Sequence, residues 1–179
     1  MNDLSQTRLW IMRGAFLLLT LVILLFHLLP LETTPRRWAG PDLLLCFAAA
    51  WSLRRPEYVP AAALALAFLL ADLLLQRPPG LWALLALIGC ENLKSRGRSL
   101  RDAGFGAEWI TVGVVIIAIM LLNRIILALV LVDVPGLALS LSELGTTLLF
   151  YPVIVAVTHW LMGVRKTSPG DLDALGHRV

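Results

Sequence analysis

Apolar residues in this chain come in unbroken blocks. The run "GAFLLLTLVILLFHLLPL" (14–31) holds no Asp, Glu, Lys or Arg, and "WITVGVVIIAIMLLNRIILALVLV" (109–132) holds a single arginine. A helix that is apolar on every side has no face to give to water, so such blocks are buried or cross a membrane. Within hydrocarbon every backbone N–H and C=O must be satisfied inside the segment or its sheet, and runs this long without alternation meet that as helices. The expected fold class is an all-α polytopic membrane protein. Charge content agrees: 15% of residues are charged and the mean hydropathy is +0.83, whereas a soluble domain carries about a quarter charged residues.

Six apolar segments stand out, at about 14–31, 41–53, 59–76, 80–93, 109–132 and 138–164. At 1.5 Å per residue the first, third, fifth and sixth reach across a ~30 Å hydrocarbon layer. The second, "PDLLLCFAAAWSL", and the fourth, "GLWALLALIGCEN", reach only about 20 Å, which neighbouring protein or local thinning accommodates. Pro41 and Gly80 suit the first turn of a helix, and Pro56, Pro60, Pro78 and Pro79 punctuate the connections. The expectation is a transmembrane domain over 14–164, preceded by a short segment 1–13 and followed by a disordered tail 165–179. Four long spans with a re-entrant 41–93 region stay open as a different count. The first run follows Arg8 and Arg13 as a signal peptide would. It is long for one and lacks a small-residue cleavage site, so it is read as a retained anchor.

Basic residues set the orientation. With six spans, Arg8, Arg13, Arg54, Arg55, Lys94, Arg96, Arg98, Arg101, Arg165, Lys166 and Arg178 share one side; Arg36, Arg37 and Arg77 take the other. Lys and Arg accumulate in cytoplasmic loops, so both termini are expected in the cytoplasm. The sequence pI of about 9.3 has the same origin: topology and anionic headgroups account for these clusters better than nucleic acid does. The loop "ENLKSRGRSLRDAGFGAE" (91–108) is either a solvated positive-inside loop or a docking site for a cytoplasmic partner or anionic lipid.

Groups that carry chemistry are scarce. There is no HExxH, no G-x-S-x-G, no CxxC and no pair of intramembrane aspartates, so no catalytic, metal or cofactor site is expected. Cys46 and Cys90 fall at different depths, which argues against a disulfide. Trp10, Trp38, Trp51, Trp82, Trp109 and Trp160 lie near span ends and are read as an aromatic belt. Ala63, Ala67 and Ala71 repeat at a spacing that lets helix backbones approach. Two ionisable residues inside spans stand out. Asp72 lies about 6 Å from the outer end of the third span, and Arg124 about 12 Å deep in the fifth. An arginine can snorkel, so the two either pair or are separately solvated. Asp42 falls in a first helical turn, where the macrodipole favours a carboxylate.

The stretch 38–96 resembles the MreD family of rod shape-determining proteins. In that family Pro-Asp opens a hydrophobic span, a later span ends in Asp-Leu-Leu, and a glycine opens the next after a short break. The matching residues are Pro41-Asp42, Asp72-Leu73-Leu74, "QRPP" and Gly80. A last span with an aromatic-Pro pair, Tyr151-Pro152, and a basic end is also similar, and length and span number agree over nearly the whole chain. The chain departs from the family in carrying alanines where glycines often precede the aspartate, and in its longer tail after Lys166. The resemblance implies a compact six-transmembrane-helix bundle similar to the substrate-binding subunits of energy-coupling-factor transporters. It implies a non-catalytic scaffold of the bacterial elongation (Rod) complex in the inner membrane, supporting lateral-wall peptidoglycan synthesis and rod cell shape. The implied direct partner is MreC, with MreB, RodA and a penicillin-binding transpeptidase in the same complex. Within that reading Asp72 fixes the outer end of the third span and presents a surface to MreC. The competing reading is a small-solute-binding transporter subunit, for which Asp42, Asp72, Asn123, Arg124, Thr146 and Thr147 are the polar candidates.

Overall fold

A computed structural model describes residues 2–29, 39–100, 103–134 and 136–162. The expectations for Arg36, Arg37 and Trp38, and for the tail 165–179, lie outside the described residues. Six α-helices follow in order: α1 (Asn2–Leu28), α2 (Leu43–Arg54), α3 (Ala61–Leu74), α4 (Leu81–Arg96), α5 (Phe105–Leu129) and α6 (Leu137–Met162). A 3-10 turn, Pro56–Tyr58, joins α2 to α3. No strand occurs among the described residues.

Three helices are long and apolar enough to cross a membrane: Gln6–Leu28 within α1, Phe105–Leu129, and Leu137–Trp160 within α6. Helices of this kind mark a membrane protein. The third segment does not join them, contrary to the sequence expectation. Helix α3 has 14 residues, about 21 Å at 1.5 Å per residue. Pro60 stands at its N-cap in extended backbone, and the chain leaves the helix through Gln76 at φ 55°. Both ends are therefore fixed inside the apolar run that suggested a longer span.

Helix α2 occupies the centre. Every residue from Leu44 to Arg54 is buried, and α2 packs against α1, α4 and α6. Around it α1, α3, α4, α5 and α6 each lie beside the next. Its sequence explains the position: "LLLCFAAAWSLR" puts three consecutive alanines, Ala48 to Ala50, where neighbouring helices close in. Aromatic rings fill the rest. Phe16 stacks on Phe47 at 5.3 Å between centroids, Trp51 lies 5.1 Å from Phe47, and Tyr58 meets Trp51 edge-on at 6.3 Å. Trp51 is thus a core residue with no exposed surface, and Trp82 is nearly as buried. Neither belongs to an aromatic belt; each sits on a helix face turned toward other helices. Trp10, Trp109 and Trp160 are exposed.

Ala67 and Ala71 of the small-residue row are buried, on a helix packed against α1 and α4. Cys46 and Cys90 are buried and free. Outward, α1 and α5 present Leu18, Leu25, Ile110 and Val114, the surface expected where lipid replaces water. Between helices in lipid the hydrophobic effect offers little; packing and polar contacts must supply the association. The polar contacts gather at the two ends of α2.

Candidate functional site

At the Asp42 end, two carboxylates hold helix N-termini. Asp42 is the N-cap of α2, and its Oδ1 accepts from Leu45 N–H at 2.9 Å. Its backbone N–H donates to Thr147 Oγ1 on α6 at 3.0 Å, and that hydroxyl donates to the Glu143 carbonyl. Its second oxygen meets the Arg77 guanidinium at 3.5 Å, and Arg77 lies over the Trp82 ring at 4.9 Å. Pro41 fixes the approach to this cap: its carbonyl accepts from Leu43 N–H. One residue thus ties α2, α6 and the α3–α4 connection together.

Asp72 does the same for α4 from outside it. Its Oδ2 accepts from Gly80 N–H at 2.9 Å and from Ala83 N–H at 3.1 Å. Gly80 is the N-cap residue of α4, in the left-handed region at φ 89°, and brings no side chain to satisfy the first turn. In a capping box, two side chains share these two donors; here one remote carboxylate accepts from both. The negative charge also faces the positive end of the helix dipole. Asp72 is fully buried, and its Oδ1 has no protein partner.

The structure does not pair Asp72 with Arg124. Arg124 donates through Nη1 to Ser140 Oγ on α6 at 3.0 Å. The spacing arguments that brought the two to a similar depth said nothing of which helices adjoin. Helix α3 packs on α1 and α4, while α5 packs on α4 and α6.

At the Arg54 end lies a buried ionic cluster. Arg54 approaches Glu108 with both forks, Nε to Oε1 at 2.8 Å and Nη2 to Oε2 at 3.0 Å. Tyr151 O–H donates to Glu108 Oε1 at 2.9 Å. All three residues are buried. The bidentate geometry is the strong form of the contact, and it spans the last turn of α2, the first turn of α5 and the middle of α6. Immediately beside it, Pro152 lacks an N–H, so the helix cannot supply the usual i−4 donor to the Leu148 carbonyl. Trp109 Nε1 donates to that carbonyl at 3.0 Å. The neighbours Glu108 and Trp109 on α5 thus hold the Tyr151 hydroxyl and the Leu148 carbonyl on α6. Lys94 and Arg13 fasten the same end, donating to the carbonyls of Val59 and Glu57.

Of the residues singled out in the sequence, Asp72 and Gly80 are joined directly. Pro41 and Asp42 share the same end of the bundle with them. Arg124 lies apart on α5, and Tyr151 and Pro152 sit at the opposite end. Arg54, Arg77, Glu108 and Thr147 carry the principal contacts, and sequence reading gave three of them no role in a site. Arg54 and Glu108 read as loop charges because each stands at the edge of an apolar run. Their signal was opposite charges at the same expected depth, on spans whose ends face one way. Among the described residues, no three of His, Cys, Asp and Glu come together as a metal-ligating group. No family model, curated protein or solved structure matches this chain.

Proposed function

We propose that the protein is a non-catalytic inner-membrane scaffold of the MreD type. In this reading it binds MreC and supports lateral-wall peptidoglycan synthesis, with both termini in the cytoplasm. The observation that carries the reading is where the family-like residues go. Asp42 and Asp72 cap two short helices, Tyr151 bonds Glu108 of α5, and Pro152 frees the Leu148 carbonyl for Trp109. Polar groups used as fasteners suit a protein whose product is a shape. The further resemblance of the bundle to substrate-binding subunits of energy-coupling-factor transporters is part of the same proposal.

The alternative, a small-solute-binding subunit, draws on the gathering of Asp42, Arg77 and Thr147 at one end. Affinity purification of the tagged full chain separates the two. A stoichiometric single-span partner, together with round, wide cells when the gene is removed from a rod-shaped host, supports the scaffold. Recovery of a bound water-soluble small molecule, with rod shape kept on deletion, overturns it. A reporter fused after Val179 is expected to be active only in the cytoplasmic form.

A further inference from the structure

Between α4 and α5 runs an open cleft of about 430 Å³, within the range of small-ligand clefts. Its walls are apolar side chains on one face of each helix, among them Ile88, Val114 and Leu122. Ile88, Val114 and Leu122 are exposed outward, so the cleft opens to the surroundings of the bundle. Gly89 forms its floor. A Cβ there would stand 2.5 Å from Ile119 Cδ1, so a larger residue would push the Ile119 side chain into the cleft. Thr111 adds no polarity, because its hydroxyl donates back to the Ala107 carbonyl.

The polarity is confined to one mouth. Asn92 and Arg96 stand there, and Arg96 Nε donates to Asn92 Oδ1 at 2.9 Å. That bond steadies the guanidinium over the opening and leaves its Nη groups without a protein acceptor among the described residues. Arg98 follows just beyond. From Leu85 to Arg96 the cleft follows α4 for about 16 Å, close to half of a ~30 Å hydrocarbon layer.

We propose that this cleft binds an anionic phospholipid, with one acyl chain between α4 and α5 and the headgroup phosphate on Arg96. The length is that of one leaflet. A transmembrane helix would need a face running through both, and the lining ends at Leu85 and Leu122. The single cationic mouth selects a negative headgroup, and guanidinium suits phosphate through parallel N–H donors.

The test uses the full chain purified in mild detergent and offered equal amounts of phosphatidylglycerol and phosphatidylcholine, with retained lipid read by native mass spectrometry. Wild type is expected to retain phosphatidylglycerol about three- to fivefold over phosphatidylcholine, the scale of an exposed charged contact. Arg96→Gln is expected to erase the preference, and Arg98→Gln to keep it. Ala118→Trp fills the cleft and is expected to lower retention of both lipids. Val114→Trp does the same should Ala118→Trp fail to fold. No preference in wild type, or a preference that survives Arg96→Gln, overturns the assignment. So does an Ala118→Cys variant that cross-links in cells to a protein helix and not to a photoactivatable phosphatidylglycerol.

Discussion

Asp72 shows how one side chain can substitute for another that is missing. Gly80 has the positive φ that the turn before α4 requires, and in adopting it the chain forgoes a capping side chain at that position. Asp72, eight residues earlier, restores the acceptor. Asp72→Ala takes the acceptor from two N–H groups, one buried and one partly buried, at a cost of about 1–3 kcal/mol. Asp72→Asn keeps an acceptor oxygen and loses less. Thermal unfolding in detergent checks the order wild type, Asn, Ala. Combining Asp72→Ala with Arg124→Ala is expected to give additive losses, because the two side chains have separate partners. An Ala variant as stable as wild type, or strong coupling to Arg124, would contradict the capping role. The importance of Asp72 was legible in the sequence, since a carboxylate in an apolar run demands compensation. Its partner was not legible: backbone amides leave no mark in a sequence, whereas an arginine does.

At the scale of the elements, the helix ends and the proline within α6 follow from which backbone groups find partners. Apolar runs revealed the six α-helices of the described residues, and roughly where they lie. They misjudged α3, because Pro60 and Gln76 stop a helix that composition alone would continue. They also misplaced Trp51 and Trp82, since a tryptophan near a helix end reads alike whether it faces lipid or protein. The α5–α6 junction offers a clean exchange. Trp109→Phe removes the donor to the Leu148 carbonyl and is expected to cost about 1 kcal/mol. Pro152→Ala gives that carbonyl a helical N–H in return. In the Pro152→Ala background, Trp109→Phe is therefore expected to be nearly neutral, and a double-mutant cycle on thermal stability measures the difference. Equal losses in both backgrounds would mean that the indole bond does not stand in for the missing helical one.

For the whole molecule, the decisive feature is that its most buried helix cannot stand alone. Helix α2 is 12 residues long, about 18 Å, too short for the bilayer, and it ends in Arg54, whose counter-ion is Glu108. Synthesis runs from the N-terminus. Arg54 therefore leaves the ribosome well before Glu108, and α2 waits longer still for α6 to cover it. During that interval a cationic, half-length helix lies in or against the membrane without the neighbours that make it stable there. Chains truncated after Ser99 are expected to be cleared from the membrane faster than chains truncated after Val134, which contain Glu108. Pulse-chase half-lives decide this, and equal half-lives would remove the argument. The central helix thus becomes a timing problem for biogenesis: the part of the protein that is made second is the part that settles last.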